Sequence, residues 1–206
     1  MTTPTDRLVF FAHNRRDTAF VRRVRSFLRV GVQVTTFTFR RDGEPLEPGP
    51  AWDNVDLGHI EHARFTERAL VYLRTLATLW RHRKTIARAD VVYARNLDIF
   101  LLAWLARRMA AFRPRSTLVY ECLDVHEALI GPSLRARILR FVERRALSAA
   151  RLLVISSPGF VTHHFAPLQN YRGPVHWIEN KLFLDGTTVE RPPSTARATD
   201  GVITVG

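Results

Sequence analysis

The chain has 206 residues, of which 46% are hydrophobic, so it can bury one sizeable core and begin a second domain. Its 31 Lys and Arg residues outnumber 19 Asp and Glu residues, and the net charge of +12 favours anionic partners without choosing among nucleic acid, acidic lipid and phosphorylated substrate. A single cysteine, Cys122, excludes an internal disulfide and a cysteine zinc cluster.

The polar N-terminus lacks a signal peptide, and the longest apolar run is too short to cross a bilayer. We therefore expect a cytoplasmic protein, with peripheral attachment to the inner face of the plasma membrane left open.

The first forty residues predict a strand, a helix and a second strand. The apolar run Leu8–Ala12 is typical of a buried strand. A helix is expected to begin after Asp17, a good N-cap, and to end at Gly31. The alternating, β-branched stretch Val32–Phe39 predicts the second strand. Such a unit opens an α/β fold with a doubly wound, mostly parallel sheet and helices on both faces, a Rossmann-like domain. The first turn has no Gly-x-Gly-x-x-Gly pattern, which argues against an NAD enzyme.

The same alternation continues along the chain after a loop predicted at Arg41–Asn54. Further strands are expected at Val55–Leu57, Val91–Ala94, from Leu118 onward, at Leu152–Ile155 and at Val175–Ile178. Long helices are expected at Ala63–Arg88, Leu97–Ala111 and Ser133–Ala150, and a helix start at Ser157-Pro158. Apolar residues at helical spacing are expected to face the core; they are Leu70, Leu73, Leu76, Ala77 and Trp80 in the first long helix, and Leu134, Ile138, Phe141 and Val142 in the last.

The domain organisation follows from a change of amino-acid composition near the C-terminus. We assign residues 1–187 to one domain and residues 188–200, with Pro192 and Pro193, to a linker. Residues 201–206 contain the run Val202–Val205, which predicts the first strand of a second, truncated domain.

Polar residues follow several of the predicted strands, at the points where the strands end. They are His13 and Asn14, Arg95 and Asn96, Glu121, Asp124 and His126, Ser156 and Ser157, and Asn180 and Lys181. Taken singly, each has an ordinary structural role as a cap, a turn residue or half of an ion pair. Because the carboxyl ends of parallel strands share one edge, we expect them to surround one cleft. Amide, hydroxyl and carboxylate groups suit a substrate rich in hydroxyls, and no spacing fits a zinc site.

Four of these segments resemble the N-terminal domain of family-4 glycosyltransferases of the GT-B fold. They are Tyr120–His126, Val91–Asn96, Val154–Ser157 and Ile178–Lys181, and the resemblance extends from Leu8 to Lys181. It implies retaining, metal-independent hexosyl transfer from a nucleotide-sugar to a sugar, lipid-linked or small-molecule acceptor in glycan or polysaccharide synthesis. No cofactor is implied, since the nucleotide-sugar is a substrate.

The resemblance also implies roles for parts of the chain. His126 looks like the active-site histidine that touches the transferring sugar, and the other strand-end residues would bind substrate. In such enzymes the N-terminal domain mostly binds acceptor and a C-terminal domain mostly binds donor. The chain departs from the family pattern in two ways. His13-Asn14-Arg15-Arg16 replaces the usual glycine-rich turn, and the paired-glutamate motif of the C-terminal domain is missing. We therefore expect the 206-residue chain to be inactive alone and to need a donor-binding domain.

A second hypothesis is a non-enzymatic basic α/β module that docks onto an anionic membrane or a partner chain. Nucleic-acid binding is not expected, because the arginines are spread over several helices and no helix-turn-helix or stacking-aromatic motif is present.

Overall fold

A computed structural model of the chain describes residues 6–40, 50–59, 74–112, 114–125 and 129–178. Seven parallel strands within these ranges form one sheet. The strands are β1 (Arg7–Ala12), β2 (Gln33–Arg40), β3 (Asp53–His59), β4 (Val91–Arg95), β5 (Thr117–Cys122), β6 (Leu152–Ile155) and β7 (Val175–Trp177). Their order is β3-β2-β1-β4-β5-β6-β7, so the connection from β3 to β4 carries the chain back past β1. The topological switch point therefore lies between β1 and β4, and the predicted doubly wound fold is confirmed.

Helices cover both faces of the sheet. They are α1 (Thr18–Arg29), α2 (described over 74–81), α3 (Arg83–Ala87), α4 (Leu97–Ala110) and α5 (Leu134–Leu147), followed by a π-helical turn at Val161–Phe165. Both predicted ends of α1 are confirmed. The Asp17 carboxylate accepts the Phe20 N–H at 2.7 Å, and Gly31 has a φ of +82°, which glycine adopts at little cost. No helix in the described part of the chain is long and apolar enough to cross a membrane.

The core has two layers because neighbouring residues of a strand point to opposite faces. On one face Phe10 contacts Phe20 of α1 and Tyr93 of β4, with ring centroids 4.9 and 4.7 Å apart. On the other face Phe11 stacks on Phe37 of β2 at 4.8 Å. This second layer also receives α4 and the C-terminal end of α5. Burial on both faces explains why the strands read as nearly continuous apolar runs.

Strand β3 is longer than the prediction of Val55–Leu57. It begins at Asp53, inside the predicted loop, because it pairs in parallel with β2. The side chain of Asn54 adds to this pairing by accepting hydrogen bonds from the hydroxyls of Thr36 and Thr38 at 2.6 and 2.8 Å. The predicted start of the helix at Ala63, the linker at 188–200 and the strand Val202–Val205 lie outside the described residues.

The predicted inner face of α2 is correct at Leu76, which packs against the core, and wrong at Trp80, which is 52% exposed. The buried residues are Thr75 and Leu79, and the predicted Leu70 and Leu73 lie outside the described residues. Thr75 donates its hydroxyl hydrogen to the Leu57 carbonyl at 3.3 Å, which turns the Thr75–Leu79 face toward the end of β3. The guanidinium of Arg83 covers the ring of Trp80, 4.6 Å from its centroid.

The predicted inner face of α5 is also wrong, and here the helix is turned by about half a revolution. Leu134, Ile138 and Phe141 are 70%, 55% and 62% exposed. The buried residues are Ala136, Glu143, Ala146 and Leu147. Small alanines allow the helix to approach the sheet closely, and a buried carboxylate is acceptable only where partners satisfy it.

Those partners come from the segment that follows β6. The carboxylate of Glu143 lies 2.7 Å from His164 Nε2 and accepts a second hydrogen bond from the Gln169 amide. All three side chains are buried. The hydroxyl of Tyr120 approaches the same carboxylate at 3.5 Å, so the cluster ties α5 to β5 and to the π-helical turn.

Candidate functional site

A pocket of about 460 Å³ opens at the carboxyl edge of the sheet, beside the switch point. Residues that follow β1, β4 and β5 line it together with residues of α4 and α5. Its polar lining residues are His13, Asn96, Asp98, Asp124 and Arg135. Its apolar lining residues are Leu97, Leu101, Tyr120, Leu129 and Leu139. A concave site that joins an apolar wall to a few convergent polar groups is typical of ligand pockets in this fold class.

His13 and Asp98 form a close pair in the pocket wall. His13 Nε2 lies 2.6 Å from Asp98 Oδ2. Partial burial alone would raise the pKa of the Asp98 carboxyl, but the hydrogen bond and charge of His13, with backbone N–H groups at the start of α4, outweigh it and lower this pKa. Asp98 therefore stays ionised beside the ring near neutral pH.

Asn96 joins β4 to α4 in a strained conformation. Its φ of 63° and ψ of 158° fall in a region that glycine mostly occupies, at a cost of about 1–3 kcal/mol for other residues. Two backbone hydrogen bonds hold it there: its N–H donates to the Glu121 carbonyl at 2.8 Å, and its carbonyl accepts the Phe100 N–H at 2.9 Å. Its side-chain Oδ1 is buried and has no hydrogen-bond partner among the described residues. Asn96 thus lines the pocket, while its Oδ1 is buried from solvent.

Arg95 and Glu121 lie at the same edge but on the α1 face of the sheet. Glu121 is 3% exposed and accepts a hydrogen bond from Arg23 Nη2 at 2.8 Å. Arg95 places its Nε 3.5 Å from the same carboxylate and donates from Nη1 to Asp17 at 2.8 Å. Burial alone would raise the pKa of the Asp17 carboxyl, but Arg95 and the Phe20 N–H outweigh it and lower this pKa. These two predicted substrate-binding residues therefore satisfy each other's charge inside the fold.

The remaining strand-end residues shape the loops. Asn14 Oδ1 accepts the Arg16 N–H at 2.7 Å and closes the turn before α1. Ser157 accepts the Gly159 N–H at 3.3 Å, in agreement with the predicted helix start. Ser156 donates its hydroxyl hydrogen to the Leu123 carbonyl at 3.1 Å, which helps to hold the loop that carries Asp124.

Cys122 fixes the same loop from within. Its thiol is buried and lies 3.4 Å from the Asp124 carbonyl, to which it donates. Burial raises the pKa of this thiol to about 12. Cys122 therefore has a structural role and is a poor nucleophile.

Three predicted site residues, His126, Asn180 and Lys181, lie outside the described residues. Within the described ranges no three His, Cys, Asp or Glu side chains lie close enough together to hold a metal ion.

The structure therefore brings three of the predicted residues, His13, Asn96 and Asp124, into one pocket. It also adds Asp98, which the strand-end reading missed. Asp98 is 85 positions from His13 in sequence, so only the adjacency of β1 and β4 joins them. The sequence feature that could have identified Asp98 is its position in the first turn of the helix that follows a strand, two residues after Asn96.

Two comparisons relate the chain to known proteins. It is 34% identical over 192 residues to the succinoglycan biosynthesis protein ExoL of Rhizobium meliloti (strain 1021). The matched region covers 93% of this chain and 47% of that protein. Its fold is similar to that of sucrose-phosphate synthase from Thermosynechococcus elongatus, with a TM-score of 0.60, 13% identity, and coverage of 84% of this chain and 48% of the other. The chain thus spans about half the length of each. No protein-family model matches it. The sequence is therefore similar to that of a polysaccharide-biosynthesis protein and the fold to that of sucrose-phosphate synthase, in agreement with the GT-B resemblance that the strand-end motifs indicate.

Proposed function

We propose that the chain is the acceptor-side domain of a glycosyltransferase that moves a sugar from a nucleotide-sugar to an acceptor hydroxyl in polysaccharide synthesis. The observation that carries this proposal is the pocket beside the switch point, lined by His13, Asn96, Asp98 and Asp124. Ligands of open α/β sheets bind at this position. The relative named for succinoglycan biosynthesis supports the choice of a polysaccharide product.

The pocket chemistry matches an acceptor rich in hydroxyls. The carboxylates of Asp98 and Asp124 can accept hydrogen bonds from hydroxyl groups, while Arg135 can donate to ring or hydroxyl oxygens. The donor nucleotide-sugar would approach from a C-terminal domain that faces this edge. The same proposal includes hexosyl transfer, retention of the anomeric configuration and independence from metal ions. These three details rest on the resemblance to family-4 glycosyltransferases.

The direct test is transfer by a two-domain version of the protein, in which this chain is joined to a donor-binding domain. We expect it to consume one of a panel of UDP- and GDP-sugars and to lengthen a glycan acceptor, in the presence of EDTA, with the product configuration determined by NMR. Hydrolysis and transfer would both be measured. If no donor in the panel is consumed with any acceptor extract, the proposal is wrong.

We expect His126→Ala in the two-domain version to lower kcat by about a hundredfold while the fold survives. The resemblance implies that this histidine contacts the transferring sugar, and losing one polar transition-state contact commonly costs roughly 3 kcal/mol. Thermal unfolding would show that the fold is kept, and the exposed His163 offers a matched control as His163→Ala. Near-normal turnover of the His126 variant would contradict the assignment.

A second function, docking of this domain on an anionic membrane, is favoured by the outward face of α5. Leu134, Ile138 and Phe141 form an exposed apolar stripe, and Arg135 and Arg137 beside them are also exposed. A helix with this pattern can insert its apolar residues at an interface while each arginine near the surface adds roughly 1 kcal/mol with anionic lipid. The basic end of the α2–α3 region would add to the same attraction.

We expect the chain to co-sediment with vesicles of phosphatidylcholine and phosphatidylglycerol. The bound fraction should fall as the salt concentration is raised. Leu134→Ser with Phe141→Ser should weaken this binding by roughly tenfold, since two apolar side chains would no longer be buried. Phe112→Ser is a matched control, because Phe112 is exposed and lies outside α5. Equal binding to vesicles of phosphatidylcholine alone would count against membrane docking.

A further inference from the structure

We infer that Asn96 lowers the stability of the fold and serves the acceptor instead, with its Nδ2 donating a hydrogen bond to a hydroxyl or ring oxygen of the acceptor. This inference rests on the proposed function and deepens it, because it names the atom that binds and the role of that atom. Its basis is the combination of a strained backbone, a side chain that caps no helix and a position in the pocket wall.

The backbone of Asn96 has a conformation that suits glycine. Its φ of 63° and ψ of 158° bring the Cβ of any other residue into steric conflict. Glycine would join β4 to α4 in the same conformation without that conflict, and both backbone hydrogen bonds of Asn96 would remain. The connection between the two elements therefore gives no reason for an asparagine at this position.

Helix capping does not explain the asparagine either. An asparagine that precedes a helix usually accepts a backbone N–H of the first turn with its side chain, which stabilises the helix. The side chain of Asn96 makes no such bond. The carboxylate of Asp98 takes backbone N–H groups at the start of α4 in its place. The amide of Asn96 is thus left without the structural task that its position normally carries.

The orientation of this amide points to a donor role in the pocket. Oδ1 is buried and has no hydrogen-bond partner among the described residues, which is a second cost to stability. Since Asn96 lines the pocket and Oδ1 is the buried end of its amide, Nδ2 is the end that a ligand can reach. The carboxylates of Asp98 and Asp124 in the same lining accept hydrogen bonds. A sugar hydroxyl both donates and accepts, so Nδ2 supplies a donor beside these acceptors.

The first part of the test measures stability in the 206-residue chain. Asn96→Gly should raise the urea midpoint above that of the wild type, because it removes both the backbone strain and the unpaired Oδ1, and this relief exceeds the extra chain entropy that glycine loses on folding. A midpoint below that of the wild type would show that the asparagine serves the fold, and would overturn the inference.

The second part measures transfer by the two-domain version, with a panel of disaccharides to tetrasaccharides as acceptors. Asn96→Gly and Asn96→Asp should each raise the acceptor KM by about fivefold, since one hydrogen bond to the acceptor is lost. The aspartate keeps the size of the side chain but has no N–H to donate. We expect kcat to change less than about threefold, because the bond is present in the ground state and the transition state alike.

Asn170→Gly is the matched control for both parts. Asn170 also has a positive φ, of 50°, but it is exposed and is not among the residues that line the pocket. Its replacement should leave the acceptor KM unchanged. If the wild type transfers sugar while either Asn96 variant keeps an acceptor KM within about twofold of it, the inference is refuted and the proposed function stands. A wild type that transfers no sugar to any acceptor overturns both. Circular dichroism would verify that each variant is folded.

Discussion

The 206-residue chain, assayed by itself, should transfer no sugar and should bind no nucleotide-sugar tightly. The chain spans about half the length of the two proteins it resembles, and we propose that it contributes only the acceptor side of the active site. Without a donor-binding domain, the donor would lack its phosphate contacts and the orientation that aligns it with the acceptor. Such orientation supplies roughly 7–11 kcal/mol of a barrier. Titration calorimetry with UDP- and GDP-sugars, combined with a product assay, measures both effects.

The control for that experiment is the two-domain version under the same conditions. Cooperative urea unfolding of the 206-residue chain would show that it folds, so that a lack of activity would reflect the lack of a donor-binding domain and not a failure to fold. Micromolar donor affinity together with product formation by the short chain would show that the donor site lies within these residues.

The second large effect is expected in stability. Glu121→Ala should lower the free energy of unfolding by about 3–5 kcal/mol, because it removes the carboxylate that neutralises two arginines. Glu121 is 3% exposed, and its partners are Arg23 at 2.8 Å and Arg95 at 3.5 Å. Arg95 keeps its contact with Asp17, whereas Arg23 loses the carboxylate that accepts its Nη2 hydrogen bond. Urea unfolding of the 206-residue chain gives the value.

Two variants calibrate this measurement. Glu121→Gln keeps the shape and a hydrogen-bond acceptor, so it should cost less than Glu121→Ala. Asp6→Ala removes an exposed carboxylate and should change stability by less than about 0.5 kcal/mol. A Glu121→Ala variant as stable as Asp6→Ala would show that this ion-pair network adds nothing to the free energy of unfolding. The predicted role of Glu121 in binding substrate would then be favoured over a structural one.

The sequence determined the type and order of the elements that the structure describes. Alternating apolar runs and helical segments with Asp17 and Gly31 at the ends of α1 are local signals, and they predicted a doubly wound sheet correctly. Polar residues at strand ends predicted the edge that carries the pocket, because the direction of parallel strands follows from the βαβ pattern. His13, Asn96 and Asp124 were found in this way.

Which face of a helix turns inward was decided by the tertiary structure. In α5 the stripe Leu134, Ile138 and Phe141 is the more apolar one, yet the helix buries the face that carries Glu143. His164 and Gln169 come from a distant segment and satisfy that carboxylate, so the face is compatible with burial only because that segment packs against it. Periodicity alone ranks side chains by their own hydrophobicity and contains no information about such partners.

Pairings across the sheet were decided in the same way. Arg95 and Glu121 are both polar strand-end residues, but the register of β4 and β5 sets them side by side on the α1 face, where Arg23 joins them. Asp98 was not predicted, and it meets His13 because the connection from β3 returns the chain next to β1. Strand order arises from how the whole chain closes its core, so contacts between residues about eighty positions apart depend on the tertiary structure and not on local sequence.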